Sequence, residues 1–252
     1  MISVNGIDLG ALGFVAQTRR LPRLAGQAST VVDVPGAIGS LVVGGAAGAG
    51  RMTVDGTIVA PDRQTLLSRI DELSAALQGT GIIRLSDYPG REWHGIFQRV
   101  SAPVEELAPQ WTSRAARATL EWLLPDPTAV ATVETILAGP TALLKLGTAP
   151  SPIAVDVQAT YGGPISKIVV EVLAGTDVLR SLTWTGSLTT PSRWRIDDES
   201  YAVTVNGANA IGGLSAESTF PEADPAERAD RVVVTVTGGE AQVVVRYHKR
   251  WW

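Results

Sequence analysis

A chain of 252 residues, 45% apolar but only 6% aromatic, can bury a sizeable core, filled mainly by Val, Leu, Ile and Ala. A formal charge of −4 argues against a protein that grips nucleic acid by its phosphates. The lack of cysteine excludes disulfide frameworks, thiolate zinc sites and cysteine nucleophiles.

The opening MISVNGIDLG has no basic segment followed by an apolar run, and no run approaches the roughly 20 residues of a membrane span. The expectation is a soluble protein made in the cytosol. Charged residues, at 18%, are sparse against about 25% in average globular chains, which fits surface buried in an assembly and equally a host genome rich in small residues.

In chain order, Ile2 to Leu9 reads as a strand with an Asn5-Gly6 turn inside it. Thr30 to Val34 is a β-branched run ending at Pro35-Gly36, a strong turn signal, with Ile38 to Val43 as the return strand. Gly44 to Gly50 carries almost no side chains and is expected to be a loop or hairpin tip, and Met52 to Val59 alternates as a further strand. These pieces form a predicted hairpin arm over residues 31–59.

A helix is predicted over 61–78, with Pro61 at its first position, Asp62 in the first turn and Gly79 beyond its end. Leu66, Ile70, Leu73 and Leu77 form its apolar stripe, widened by Leu67. Ile82 to Ser101 reads as a hairpin turning at Asp87-Tyr88-Pro89-Gly90, and Thr119 to Leu124 as a strand stopped by Pro125-Asp126-Pro127. A first, β-rich domain therefore covers residues 1–127.

Residues 128–252 hold no long helix. Leu143-Leu144, Ile153 to Tyr161, Ile168 to Leu173, Val178 to Trp184, Tyr201 to Val205, Arg231 to Thr237 and Ala241 to Tyr247 read as strands at the spacing of a β-sandwich. Thr237-Gly238-Gly239-Glu240 is expected to be a tight hairpin, and Pro221 to Asp230 an acidic surface loop. The fold class is thus mainly β, with one prominent helix.

Reaction chemistry finds little support. In GGAAGAGRM the separation of Gly45 and Gly50 suits a phosphate loop, but Arg51 and Met52 replace its Lys and hydroxyl residue, and a strand follows where a helix belongs. Thr53 breaks a dinucleotide-binding G-x-G-x-x-G. His94 and His248 lack motif partners, no G-x-S-x-G elbow exists, and Asp197-Asp198-Glu199 lacks the alternation of a calcium loop. The expectation is no enzyme, no catalytic residue, no metal and no cofactor. Trp184 and Trp194 read as core filling, although an exposed indole on a sandwich can stack on a sugar. The terminal Trp251-Trp252 is expected to pack on the sandwich or on a neighbour.

The order ISVNGIDL, VVDVPGAIGSLVVGG, TVDGTIV, PDRQTLLSRIDELSAAL, SDYPGREWHG and LEWLLPDP resembles the ring-forming domain of the distal tail protein (Dit) family of long-tailed bacteriophages. SLTWTGSL, RWRIDD, YAVTVNGAN and the basic, aromatic end VVVRYHKRWW resemble that family's galectin-like or carbohydrate-module-like sandwich. Many relatives have Gly-Arg-Asp/Asn-Gly after the Val-Pro, where this chain has Gly36-Ala37-Ile38-Gly39. The resemblance implies a homo-hexameric ring at the far end of the tail tube. It also implies tube, tail-tip and receptor-binding proteins as partners, DNA passing through the lumen without specific binding, assembly in the host cytoplasm, and no membrane. Val34, Pro35, Gly36, Ile38, Val42, Tyr88 and Pro89 become candidate subunit-interface residues, and Trp251 and Trp252 candidate partner or packing contacts. The alternatives are a carbohydrate-binding protein that reads host-surface glycans and a cell-wall enzyme with a carboxylate pair in a cleft.

Overall fold

The computed structural model describes residues 1–21, 27–33, 40–100, 105–106 and 114–252; for 27–33, 40–47, 99–100 and 105–106 only the backbone is described. The chain divides into two compact units, Met1–Ala129 together with Trp252, and Val130–Trp251.

The first unit contains strands β1 (Ile2–Val4), β2 (Ile7–Asp8), β3 (Phe14–Arg20), β4 (Gln27–Asp33), β5 (Ser40–Ala47) and β6 (Gly50–Val59). Helix α1 (Arg63–Ala76) follows, then β7 (Thr80–Leu85), β8 (Arg91–Val100), β9 (Glu105–Glu106) and β10 (Ala115–Leu124). Its main sheet runs β2-β1-β7-β8-β10-β6-β3, antiparallel throughout, with β9 also paired to β10. Asn5 and Gly6 both take positive φ, as a two-residue hairpin turn between β1 and β2 demands. Alternation fixes the core face. Met52, Val54 and Ile58 on β6 and Leu120, Trp122 and Leu124 on β10 are buried, while Arg51, Thr53, Arg117 and Glu121 point to the opposite face.

Helix α1 packs against β6 with Leu66 and Leu73 inward, and Leu77 is buried just past its end. Each buried leucine contributes about 2 kcal/mol of apolar burial. Two expectations are corrected. Asp62 is the N-cap, not a first-turn residue. It takes extended backbone, and its carboxylate accepts from Thr65 N (2.8 Å) and Thr65 Oγ1 (2.9 Å), which puts Pro61 outside the helix. Leu67 is exposed, because the buried stripe is narrower than five apolar residues suggest.

The Gly/Ala run is also corrected. β5 continues through Gly44, Gly45, Ala46 and Ala47, and β6 begins at Gly50, so only Gly48-Ala49 connects them. Pairing to β4 (Ser29↔Gly45, Ala28↔Ala46, Gln27↔Ala47) uses backbone groups and needs no side chain. The paired strands are therefore Gln27–Asp33 and Ser40–Ala47 rather than a hairpin reaching to Val59, and β6 belongs to the main sheet between β10 and β3.

The second unit contains β11 (Ala129–Ala131), which begins at the boundary, then β12 (Thr135–Ala138), β13 (Thr141–Leu143), β14 (Ser151–Tyr161) and β15 (Ile165–Ala174). After these come β16 (Asp177–Leu188), β17 (Arg193–Ile196), β18 (Val203–Val205), β19 (Ala208–Asn209), β20 (Glu222–Ala223), β21 (Arg231–Thr237), β22 (Glu240–Tyr247) and β23 (Arg250–Trp251). One sheet runs β12-β22-β14-β17-β18-β19, with β20 on β14, and the other β13-β21-β15-β16. Val155, Val157, Trp194, Val243 and Val245 of the first meet Ile168, Val170, Val172, Trp184 and Val234 of the second in one buried cluster.

Thr237 to Glu240 is not a hairpin. β21 and β22 lie in different sheets, so Gly238-Gly239 carries the chain from one layer to the other. Gly238 has φ +112°, and a Cβ there would stand 2.2 Å from Pro164 O. Glycine is needed for this close approach to the loop before β15, not for strand pairing. Pro221 to Asp230 is only partly a surface loop, since β20 pairs with the start of β14 and buries Ala223 fully.

Candidate subunit interface

β4 and β5 pair only with each other among the described strands. A lone two-stranded ribbon is marginal in water and gains stability by packing on something else. Val42 lies on β5, opposite Val31. Val34, Pro35, Gly36 and Ile38 lie outside the described residues.

Tyr88 and Pro89 sit in the β7–β8 turn, closed by Tyr88 N donating to Leu85 O (3.0 Å) and Arg91 N to Tyr88 O (3.2 Å). The Tyr88 ring is half-buried, edge-on to Trp93 at 5.7 Å, with the Arg91 guanidinium 6.0 Å from its centroid. Tyr88 therefore serves its own turn, and Pro89 is the exposed member of the pair. Beside this turn, Arg19 on β3 pairs with Asp87.

The main-sheet face opposite α1 is largely polar and its charges are partly matched, Arg20 and Arg117 having no partner among the described residues. Arg84 meets Glu92 (2.9 Å), Arg51 meets Glu121 (2.8 Å), Thr119 donates to Asp55 (2.6 Å) and Gln17 to Thr57 (3.0 Å). β3 forms one edge of that sheet, with Val15 exposed. Phe14, Val15, Ala16 and Arg19 of β3 line a pocket of about 260 Å³ with Met1, Ile2 and Asp8 from the far end of the same sheet.

The remaining sequence candidates separate. His94 is exposed on β8 with Nε2 3.3 Å from Glu92 Oε1, beside an open groove of about 410 Å³ lined by Asn5, Ile82, Ile96 and Asp126 among others. His248 Nδ1 donates to Ala131 O (2.9 Å) and ties the chain end to β11. Asp197 accepts from Ser200 N (3.0 Å) and Ser200 Oγ (2.8 Å). Those two bonds, with the Arg195 charge, hold its carboxyl below the usual range, so it shapes a turn. Trp184 and Trp194 are buried, 6.2 Å apart, and present no face to a sugar. Trp251 is half-buried on β23 and Trp252 is exposed. Sequence reasoning missed β17, because Arg193 and Arg195 obscured a short strand whose only apolar signal is Trp194 and Ile196.

No protein-family model and no curated protein matches the sequence. Among solved structures, the crystal structure of the SPP1 Dit protein, described as a paradigm of the hub adsorption apparatus in phages infecting Gram-positive hosts, is 16% identical. It matches with a TM-score of 0.75 over 100% of this chain and 98% of that one. Two phage P2 baseplate structures, with calcium and with strontium, are 5% and 6% identical at TM-scores of 0.45 and 0.41. They cover 96% and 95% of this chain and 92% of the matched chain in each case, a likeness too distant to carry an argument. The chain therefore has, from end to end, the fold of a phage distal tail (Dit) protein.

Proposed function

We propose that this protein is a structural hub of a long-tailed phage, a homo-hexameric ring at the distal end of the tail tube that joins tube to tail tip. The whole-chain match to the SPP1 Dit fold carries this reading. The ring brings the tube protein, tail-tip proteins and receptor-binding components together, and DNA crosses its lumen without specific contacts. Assembly takes place in the host cytoplasm. No catalytic step is required of the chain. The ring-forming part is residues 1–127, and the sandwich is residues 128–252.

The physical features fit such a part. The β4–β5 ribbon has no other strand partner among the described residues, and the segment bearing Val34, Pro35, Gly36, Ile38 and Val42 is the arm that neighbouring subunits receive. Pro89 at its turn, and Trp251 and Trp252 at the chain end, are further contact points. At −4 per copy a ring is acidic overall, which disfavours adhesion of a polyanion to it. The sugar-binding alternative loses its best candidates to the core, since Trp184 and Trp194 are buried.

The test is negative-stain imaging of the purified chain and of tails labelled with antibody against it. Six-fold rings and label at the far end of the tube are expected. Label elsewhere on the virion overturns the reading, as does turnover of host cell wall in a zymogram. Binding on a glycan array favours the alternative.

A further inference from the structure

The outward face of the β12-β22-β14-β17-β18 sheet carries a cationic cluster in an otherwise acidic protein. Trp194 and Ile196 point into the core, so Arg193 and Arg195 point out. Val245 and Tyr247 do the same for Arg246 on β22. Between these strands sits Asp156, only 3% exposed. Arg193 Nε donates to its Oδ1 (2.8 Å), and Arg246 pairs with its Oδ2. Arg195 stands directly opposite Asp156 in register but pairs with Asp197 (3.2 Å). Two carboxylates thus face three guanidinium groups, leaving one positive charge over. The Nε atoms of Arg195 and Arg246 are buried and have no hydrogen-bond partner among the described residues.

We propose that this face binds an extended acidic segment of a partner protein. Arg193 and Arg195 are two residues apart on a strand, about 7 Å, which is also the spacing of alternate carboxylates on an extended peptide. Each guanidinium can take a carboxylate through paired N–H donors, and reorientation toward such a ligand supplies acceptors for the orphaned Nε groups. The face is not purely cationic. Ile136 lies beside Arg246 in register and is 61% exposed, and Ala138 pairs with half-buried Val244. Apolar neighbours suit a peptide with an aliphatic side chain and add nothing for a phosphate polymer. A single surplus charge is likewise too little to hold a polyanion by counterion release. Asp156 acts as a resident competitor, keeping two of the arginines extended and ready. The inference does not depend on the hub reading and would hold for a monomer.

The probe is a fluorescent ten-residue peptide alternating glutamate and threonine and ending in two leucines, titrated by anisotropy against the full chain. The glutamate peptide is expected to bind at least about ten-fold tighter than its glutamine counterpart, as loss of charge-assisted bonds implies. Arg195→Gln is expected to weaken binding. Asp156→Asn, which frees Arg193 and Arg246, is expected to strengthen it, a sign that a merely structural Asp156 would not produce. Circular dichroism checks each fold. If Asp156→Asn does not fold, the Arg193→Gln and Arg195→Gln pair decides. Equal binding of the two peptides, no binding at millimolar concentration, or tighter binding of inorganic polyphosphate overturns the proposal.

Discussion

Asp62 shows how much one side chain can settle. Its carboxylate closes the start of α1, and the bonds from Thr65, backbone first and hydroxyl second, hold its pKa below the ordinary 3.8. A depressed folded pKa stabilises the fold above the unfolded value and is lost as pH falls through the folded one. Urea denaturation at pH 7 and pH 3 should therefore show Asp62→Asn, which caps without ionising, losing less stability on acidification than the native chain. The two sandwich tryptophans differ in a way that no sequence rule reveals. Trp184 Nε1 donates to Ala210 O (3.2 Å), whereas Trp194 Nε1 is buried with no partner among the described residues. Trp184→Phe should cost about 1 kcal/mol more than Trp194→Phe in chemical denaturation, because only the former breaks a bond and strands a carbonyl.

At the scale of elements, the glycines of the sandwich turns separate close approach from conformational need. Gly163→Ala places a methyl in open space and pays only for its φ of +92°, about 1 kcal/mol. Gly238→Ala meets Pro164 O as well and should cost about 3 kcal/mol or more, read as a fall in denaturation midpoint. Strand alternation, the helix stripe and the Asn5-Gly6 and Asp87-Gly90 turns were legible in the sequence because they rest on local chemistry. The course of Gly44 to Ala47 was not, since backbone pairing with β4 leaves no side-chain signal. Nor was the jump at Gly238-Gly239, because Gly-Gly looks alike whether the chain folds back in one sheet or crosses to another. Replacing Gln27–Ala47 by a short Gly-Ser linker should leave the main sheet's circular dichroism intact and abolish ring assembly in light scattering, if the ribbon is the arm between subunits.

For the molecule as a whole, the buried cluster of the sandwich draws its members from Ala142 to Tyr247 alone. Residues 130–252 expressed by themselves should therefore unfold cooperatively, with a β-type far-ultraviolet spectrum. A non-cooperative melt would show that this core is insufficient. Much of the candidate interface stayed beyond reach of the residues themselves. Interfaces are no more apolar than ordinary surface, so Val34, Ile38 and Val42 could be singled out only through the resemblance of their neighbourhood to a known family. The arginine face escaped notice for a different reason. Arg246 is separated from Arg193 and Arg195 by nearly half a domain of sequence, and only the register of β17, β14 and β22 brings Arg193 and Arg246 to one carboxylate with Arg195 beside them.

The two flanks of the sandwich are unequal. On one, Ser215 N and Thr219 N donate to Thr183 O and Ser181 O, so the segment after the Ile211–Gly213 turn lies along β16 and occupies its outer groups, while β19 beside it is only two residues long. On the other, β12 and β13 end their sheets with Ile136 and Leu143 exposed. Among the described residues one flank of the sandwich is thus blunted and the other offers longer strand edges, a disposition that favours pairing through one side over growth into a ribbon. Such one-sidedness lets many sandwiches be crowded at high local density without seeding a fibre.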